Sequence, residues 1–217
     1  VTAFTAVIAS RRDDGDWRDL DLAVRSLRHY STVPIVVAWQ GPAAPDIPAD
    51  LLVEQPDSCA TFGAAYQFAA GLTDSPLLLV CNDDIVACPD SVDLLVTDYQ
   101  VAADVGPVGF VAASANYARP SQQRLRPLER PKPARVVSPF FAVVERAALP
   151  ERWPDCNWYS DDIMCVDMAA AGRTHWLSRA IVHHIGERST GRDHGALDRD
   201  GRKWVLEHRP DLAGVVC

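Results

Sequence analysis

Three clusters in the chain put carboxylates and imidazoles close enough in sequence to act together. The first, Asn82-Asp83-Asp84, directly follows the apolar run Leu77-Leu78-Leu79-Val80-Cys81. Two adjacent carboxylates repel one another and add nothing to packing. They suit a hard divalent cation, because Mg²⁺ and Mn²⁺ take carboxylate oxygens and often share their ligand set with substrate phosphates. The plainer alternative is a solvated turn in which Asp84 or Asp90 caps the next helix. The second cluster, Trp158-Tyr159-Ser160-Asp161-Asp162, precedes the apolar residues Ile163, Met164, Val166 and Met168. Ser160 fits an N-cap, and acids in a first turn are favoured by the helix dipole. The aromatic neighbours point further, since they would shield a carboxylate and raise its pKa toward that of a useful base. The third cluster is Val182-His183-His184 at the end of an apolar run. Neighbouring side chains on a strand point to opposite faces, so one histidine can face an active edge while the other packs or meets solvent. Such a histidine is either a hydrogen-bonded core residue or, if the acidic cluster lies across from it, a ligand for Mn²⁺ and its relatives.

The elements that must position these residues alternate. Ala3 to Ser10, Pro34 to Trp39, Leu51 to Glu54 and Leu77 to Cys81 read as strands. Leu20, Ala23, Val24 and Leu27 mark one helix face, and Phe62, Ala65, Tyr66 and Ala69 another. Further along, Ser91 to Val101 and Asp161 to Ala171 read as helices. Val108 to Ala113, Val136 to Val144 and Thr174 to Ile185 read as strands, and a helical stretch surrounds Trp204. This alternation predicts an α/β fold with a mostly parallel central sheet flanked by helices. In such sheets ligands bind outside the carboxyl ends of the strands, which is where Asn82-Asp83-Asp84 falls.

A Pro-rich segment, 119–135, interrupts the second half. Arg119, Arg124, Arg126, Arg130, Lys132 and Arg135 face only Glu129 there, giving a local charge of +5 in a chain whose formal charge is −8. The segment is expected to be mobile and to close over a bound pyrophosphate. The overall acidity argues against a general nucleic-acid binder while leaving room for a local basic patch. The 217 residues, 48% of them hydrophobic, fit one domain with a full core and exclude a disordered chain. The expected division is a nucleotide-binding half over 1–90, an acceptor and catalytic half over 91–190, and a tail over 191–217. None of the six cysteines forms C-x-x-C, so they read as small buried hydrophobes of a cytoplasmic protein. No apolar run approaches the roughly 18–20 residues of a membrane helix. The chain starts at Val1 without a secretory signal, so an N-terminal address ahead of it stays open.

Taken in order, the three clusters resemble nucleotide-sugar-dependent glycosyltransferases of the GT-A fold. Leu79-Val80-Cys81-Asn82-Asp83-Asp84 is similar to the Leu-Asn-Asn-Asp strand end of family 2. Asp161-Asp162 through Ala171-Gly172 is similar to that family's acidic pair and Ala-Gly helix end. Val182-His183-His184 through Ser189-Thr190 is similar to its Val-His-His-Gly ending. Val36-Val37-Ala38-Trp39 also resembles a Val-Val-Trp strand of the exostosin type. The resemblance runs from Thr5 to about Thr190. It implies a single GT-A, Rossmann-like domain that moves a sugar from a nucleotide-diphosphate sugar to an acceptor hydroxyl with Mn²⁺ or Mg²⁺. Asp84 would ligate the metal and Asp83 would meet its shell or the ribose. His183 would be a third ligand, with His184 the second choice. Asp162 would be the catalytic base and Asp161 would bind a sugar. The donor would lie on Ala9, Phe62, Gly63, Asn82 and Asp83, with Trp39 stacking on the base and Arg124 and Arg126 on the phosphates; Gly63 would let the sugar approach the backbone.

The sequence departs from the pattern at Ala38-Trp39-Gln40, where an Asp that reads the base is expected, and at Tyr66-Gln67, where an Asn or Arg is expected. Two alternatives stand beside this reading. A sugar-phosphate nucleotidyltransferase would share the sheet and the metal-binding Asp, and Ser10-Arg11-Arg12-Asp13-Asp14-Gly15 faintly echoes the basic signature after its first strand. A non-catalytic glycan- or nucleotide-binding module would keep the fold without the chemistry. The acceptor is open among a glycan, a protein and a modified nucleic-acid base.

Overall fold

A computed structural model describes residues 4–186 and 194–216. The strands are β1 (Phe4–Arg11), β2 (Ile35–Gln40), β3 (Leu51–Glu54), β4 (Leu77–Cys81), β5 (Ile85–Val86), β6 (Val108–Ala115), β7 (Lys132–Ala134), β8 (Phe141–Glu145) and β9 (Thr174–His184). The helices are α1 (Arg18–Tyr30), α2 (Phe62–Gly71), α3 (Ser91–Val105), α4 (Ser160–Ala170), α5 (His194–His208) and α6 (Ala213–Val216). The strands form one sheet in the order β3-β2-β1-β4-β8-β6-β9-β5, with β7 also on β9.

The class is α/β, and the sheet is mixed. Strands β3, β2, β1 and β4 run parallel, as do β6 and β9. Strand β8 enters between β4 and β6 antiparallel to both, and β5 and β7 pair antiparallel with β9. The expected mostly parallel sheet therefore holds for the first half and is corrected for the second. The physical cause lies in the connection. A parallel return needs a crossover, usually a helix, and the stretch between β6 and β8 contains none.

Alternation along the strands sorts the core into two faces. Ile8, Val37, Leu79 and Val143 pack with Leu20, Val24 and Leu27 of α1 and with Val92, Leu95 and Tyr99 of α3. Val7, Val36, Val80 and Ala142 pack on the other face with Tyr66 and Ala69 of α2 and Met164 and Met168 of α4. The sheet is thus sandwiched between helices, as an alternating βα sequence demands. Helix α5 joins through a smaller cluster in which Val205 meets Ile163 of α4. Among the described residues, no helix is long and apolar enough to cross a membrane. Cys81, Cys156 and Cys165 are buried free thiols.

His175 on β9 is one core group with a pH consequence. It is 1% exposed. The Phe110 amide donates to its Nδ1 at 3.0 Å, and its Nε2 lies 2.9 Å from the Cys165 carbonyl. Those partners fix the neutral ring with the proton on Nε2. Gly109 leaves the space: a Cβ there would stand 2.5 Å from the imidazole. Burial holds the His175 pKa below the ordinary value, only partly offset by the Cys165 carbonyl. The unfolded chain therefore takes this proton at a higher pH than the folded one. Stability from His175 is present above the unfolded value and is lost as pH falls toward the folded value. Urea unfolding should show a drop in midpoint from pH 7.5 to 5.5 that His175→Gln reduces. An unchanged drop in the variant would remove His175 as its cause.

Candidate active site

The chain leaves β1 toward β2 and β3 on one side and returns to β4 on the other. That divergence opens a crevice at the carboxyl ends of β1 and β4, the place where open α/β sheets bind ligands. A cleft of about 410 Å³ occupies it. Ala9, Phe62, Asn82 and Asp83, four of the expected donor-binding residues, line its walls, joined by Arg11 to Asp14, Gln55, Tyr66, Asn157 and Trp158.

Asn82 is held from behind. The Tyr66 hydroxyl donates to the Cys81 carbonyl at 2.7 Å and lies 3.1 Å from Asn82 Oδ1. Tyr66 thus positions a cleft residue from the helix where the family pattern has an Asn or Arg. Asp83 is 4% exposed and accepts from Ser10 Oγ at 2.5 Å. Arg12 Nη2 approaches it at 3.1 Å. Burial pushes the Asp83 pKa up to about 6, against the pull of Arg12. Arg12 is itself 6% exposed, and its Nε and Nη2 have no aligned hydrogen-bond partner. Sequence reasoning left Arg12 among the echoes of another family, yet it sits on the cleft wall at the end of β1.

Asp84, 2% exposed, does not line the cleft; it faces His184. Strand β5 pairs Ile85 with His184, and the Ile185 amide donates to the Asp84 carbonyl at 2.9 Å. This bridge brings Asp84 Oδ1 within 3.2 Å of His184 Nε2, at an alignment too poor for a hydrogen bond, so Oδ1 has no hydrogen-bond partner. Asn116 grips the His184 backbone on both sides: its Oδ1 accepts from the His184 amide at 2.7 Å and its Nδ2 donates to the carbonyl at 3.1 Å. His184 Nδ1 lies 2.8 Å from the Tyr117 carbonyl, an acceptor only, which puts the proton on Nδ1. In the neutral ring the Nε2 lone pair then points toward an unpartnered carboxylate oxygen. Burial alone would lower the His184 pKa, but the Asp84 carboxylate outweighs it and raises the value. With the ring protonated, the two form an ion pair.

With the ring neutral, a divalent cation would serve the same place. Cis ligands of an octahedral Mg²⁺ or Mn²⁺, at about 2.1 Å from the ion, stand about 3.0 Å apart, close to the separation found. The proton fixed on Nδ1 by a backbone carbonyl is the usual outer support of a ligating histidine. The residues fit a site to which the protein gives two ligands. Among the described residues, no group of three or more His, Cys, Asp or Glu side chains is placed to hold a metal. His183 accounts for the missing third. Alternation along β9 turns its side chain to the opposite face, where it is exposed. The expected order of preference is therefore reversed, with His184 at the site and His183 away from it.

Asp161 and Asp162 open α4, where an unexpected cation holds them. Arg119 Nη2 lies 3.2 Å from Asp161 Oδ2, and Arg119 Nη1 lies 3.1 Å from Asp162 Oδ1. Arg119 Nε donates to Ser138 Oγ at 2.8 Å, which completes the clamp. Burial and then the Asp162 charge raise the Asp161 pKa, and Arg119 opposes them. Ser160 is not the N-cap. Tyr159 holds that position at φ 70, and Ser160 Oγ donates to the Pro154 carbonyl at 3.2 Å.

Four of the expected donor contacts are absent from the cleft walls. Trp39 is 8% exposed and packs edge-on to Trp17 at 6.0 Å, so its ring belongs to the core. Gly63 is a glycine because of protein rather than ligand: a Cβ there would stand 1.9 Å from the Pro154 carbonyl. Arg124 and Arg126 lie on the basic segment, away from the cleft. That segment is also stitched down. Gln122, 0% exposed, donates to the Ala113 and Ser138 carbonyls and accepts from the Ser138 amide. Strand β7 then pairs with β9 despite Pro133, as an edge position permits. Both ends of the expected lid are thus tied to the sheet, and Leu125 between them is exposed. Ser189 and Thr190 fall outside the described residues. No family model matches the chain, and the comparison with curated proteins finds no match.

Proposed function

We propose that the protein is a glycosyltransferase that uses a divalent cation to move a sugar from a nucleotide-diphosphate sugar to an acceptor hydroxyl. The observation that carries this reading is the facing pair of Asp84 Oδ1 and His184 Nε2, 3.2 Å apart, one residue beyond a cleft wall at the carboxyl ends of β1 and β4. Asp84 and His184 would hold Mn²⁺ or Mg²⁺, with donor phosphate oxygens and water completing the shell. When bound, the ion neutralises the charge that develops on the departing nucleoside diphosphate.

The chain's own groups do the rest. The cleft binds the nucleotide between the ends of β1 and β4, and Asp83 faces its ribose. Asp162 takes the proton of the acceptor hydroxyl as that oxygen bonds to the anomeric carbon and the bond from that carbon to the phosphate oxygen breaks. Asp161 binds a sugar hydroxyl beside it. Arg119 holds both carboxylates in place. Free thiols at Cys81, Cys156 and Cys165 support a reducing, cytoplasmic setting for this reading.

A second reading has one observation in its favour. Arg11 to Asp14 line the cleft at the end of β1, and Arg12 is a buried cation whose Nε and Nη2 have no aligned hydrogen-bond partner. A nucleotidyltransferase would use such a cation on a triphosphate. Thermal shift separates the two readings. A glycosyltransferase should be stabilised by UDP or GDP together with Mn²⁺, more than by either alone. Preference for a triphosphate favours the second reading, and a response to free glycan alone favours a binding module.

A further inference from the structure

Gln55 follows β3 and lines the cleft, though only 3% of it is exposed. Its own amide donates to the Trp39 carbonyl at 2.8 Å, which fixes the backbone beside β2. Its side-chain Nε2 lies 3.0 Å from the Ser10 carbonyl and 3.4 Å from the Ala38 carbonyl. Both partners are acceptors only, so the amide cannot be turned round: nitrogen must face the strand ends. The other end is Oε1, which is buried and has no hydrogen-bond partner. A buried acceptor left unpaired is costly, and such groups in folded proteins call for an explanation. Here three strand ends hold an acceptor, in one fixed orientation, on a residue that lines the cleft.

We infer that Gln55 reads the nucleobase of the donor, its Oε1 accepting an N–H on the edge of the base, which uracil carries at N3 and guanine at N1. This rests on the nucleotide reading of the cleft and holds for either of the two enzymes above. It assigns a role that the sequence left empty. The position after β2, where an acidic base reader was expected, carries Ala38-Trp39-Gln40, and Trp39 is committed to the core. Ala38 still takes part through its carbonyl, which helps orient the glutamine amide. A site built to pair with an N–H discriminates strongly against an analogue lacking it, because its buried acceptor is then stranded.

The test uses the whole protein with Mn²⁺ and two probe pairs: UDP with N3-methyl-UDP, and GDP with N1-methyl-GDP. Calorimetry on the wild type should show methylation weakening the better-bound diphosphate by about tenfold or more. Gln55→Leu should bind the methylated and unmethylated forms of that diphosphate within about twofold of each other. Wild-type protein that binds both forms equally, or a folded Gln55→Leu variant that still discriminates, overturns the inference while leaving the nucleotide reading intact. The wild-type comparison stands by itself if the variant does not fold. If no nucleoside diphosphate binds with or without Mn²⁺, the nucleotide reading fails first and Gln55 with it.

Discussion

Asp84→Asn will leave a folded protein whose metal-dependent turnover is lower by about two to four orders of magnitude. Stability and activity separate at this residue for a structural reason. Asp84 Oδ1 makes no hydrogen bond, so exchanging a carboxylate for an amide breaks no aligned contact. The amide nitrogen can instead donate to the lone pair of His184 Nε2, which lies 3.2 Å from Oδ1. The variant should therefore unfold close to the wild-type temperature at a pH where His184 is neutral, and lose the ion pair where the ring is protonated. Under the proposed function, what it loses is the one anionic ligand of the pair that would hold the ion. Thermal melts with and without Mn²⁺ check both halves. Wild type should gain stability from Mn²⁺ plus nucleoside diphosphate, and the variant should gain none. Near-full Mn²⁺-dependent turnover in Asp84→Asn would remove Asp84 from the metal.

The second large effect is expected at Asp162. Asp162→Asn should lower turnover by about 10²- to 10⁴-fold, the usual worth of a general base. Nucleoside diphosphate affinity should stay within a few-fold, because a base acts on the acceptor in the transition state. Lost diphosphate binding at unchanged turnover would move Asp162 to the donor. If Asp161→Asn is the inactive variant instead, the two roles exchange. Arg119 supplies an independent readout. Its guanidinium faces both carboxylates, at 3.2 and 3.1 Å, and favours their ionised forms. Arg119→Gln withdraws that charge, so the acid limb of the rate profile should move to higher pH. A profile that stays in place would separate the clamp from the base.

Much of the fold was legible because the first half of the chain writes its elements plainly. Leu51–Glu54 and Leu77–Cys81 match their expected bounds residue for residue. Leu20, Ala23, Val24 and Leu27 are the buried face of α1, as their spacing requires. The second half was harder, because apolar runs there do not state their direction or their limits. Val136 to Val144 reads as one strand, but only Phe141–Glu145 pairs. Pro139 cannot donate a ladder bond, and Ser138 is given over to Gln122 and Arg119.

The candidate site divides in the same way. Asp83, Asp84, Asp161 and Asp162 could be found because carboxylates at strand ends and helix starts stand out locally. Choosing between His183 and His184 needed the register of β9 against β5, which no composition reveals. Arg119 reaches its carboxylates across |i−j| of 42 and 43, and only the folded path brings them together. Gln55 and Arg12 had one usable signal, their positions directly after β3 and β1. Gln122 had none, since a buried glutamine that stitches a loop looks like any polar residue in a Pro-rich segment.

The most direct measurement of the central claim is donor hydrolysis across a panel of UDP- and GDP-sugars, read as release of nucleoside diphosphate with Mn²⁺, with Mg²⁺ and with chelator. The account predicts slow release from at least one donor, dependent on the divalent ion and lost in Asp84→Asn. Absence of release and of binding across the whole panel, alongside turnover of a nucleoside triphosphate with a sugar phosphate, would contradict it.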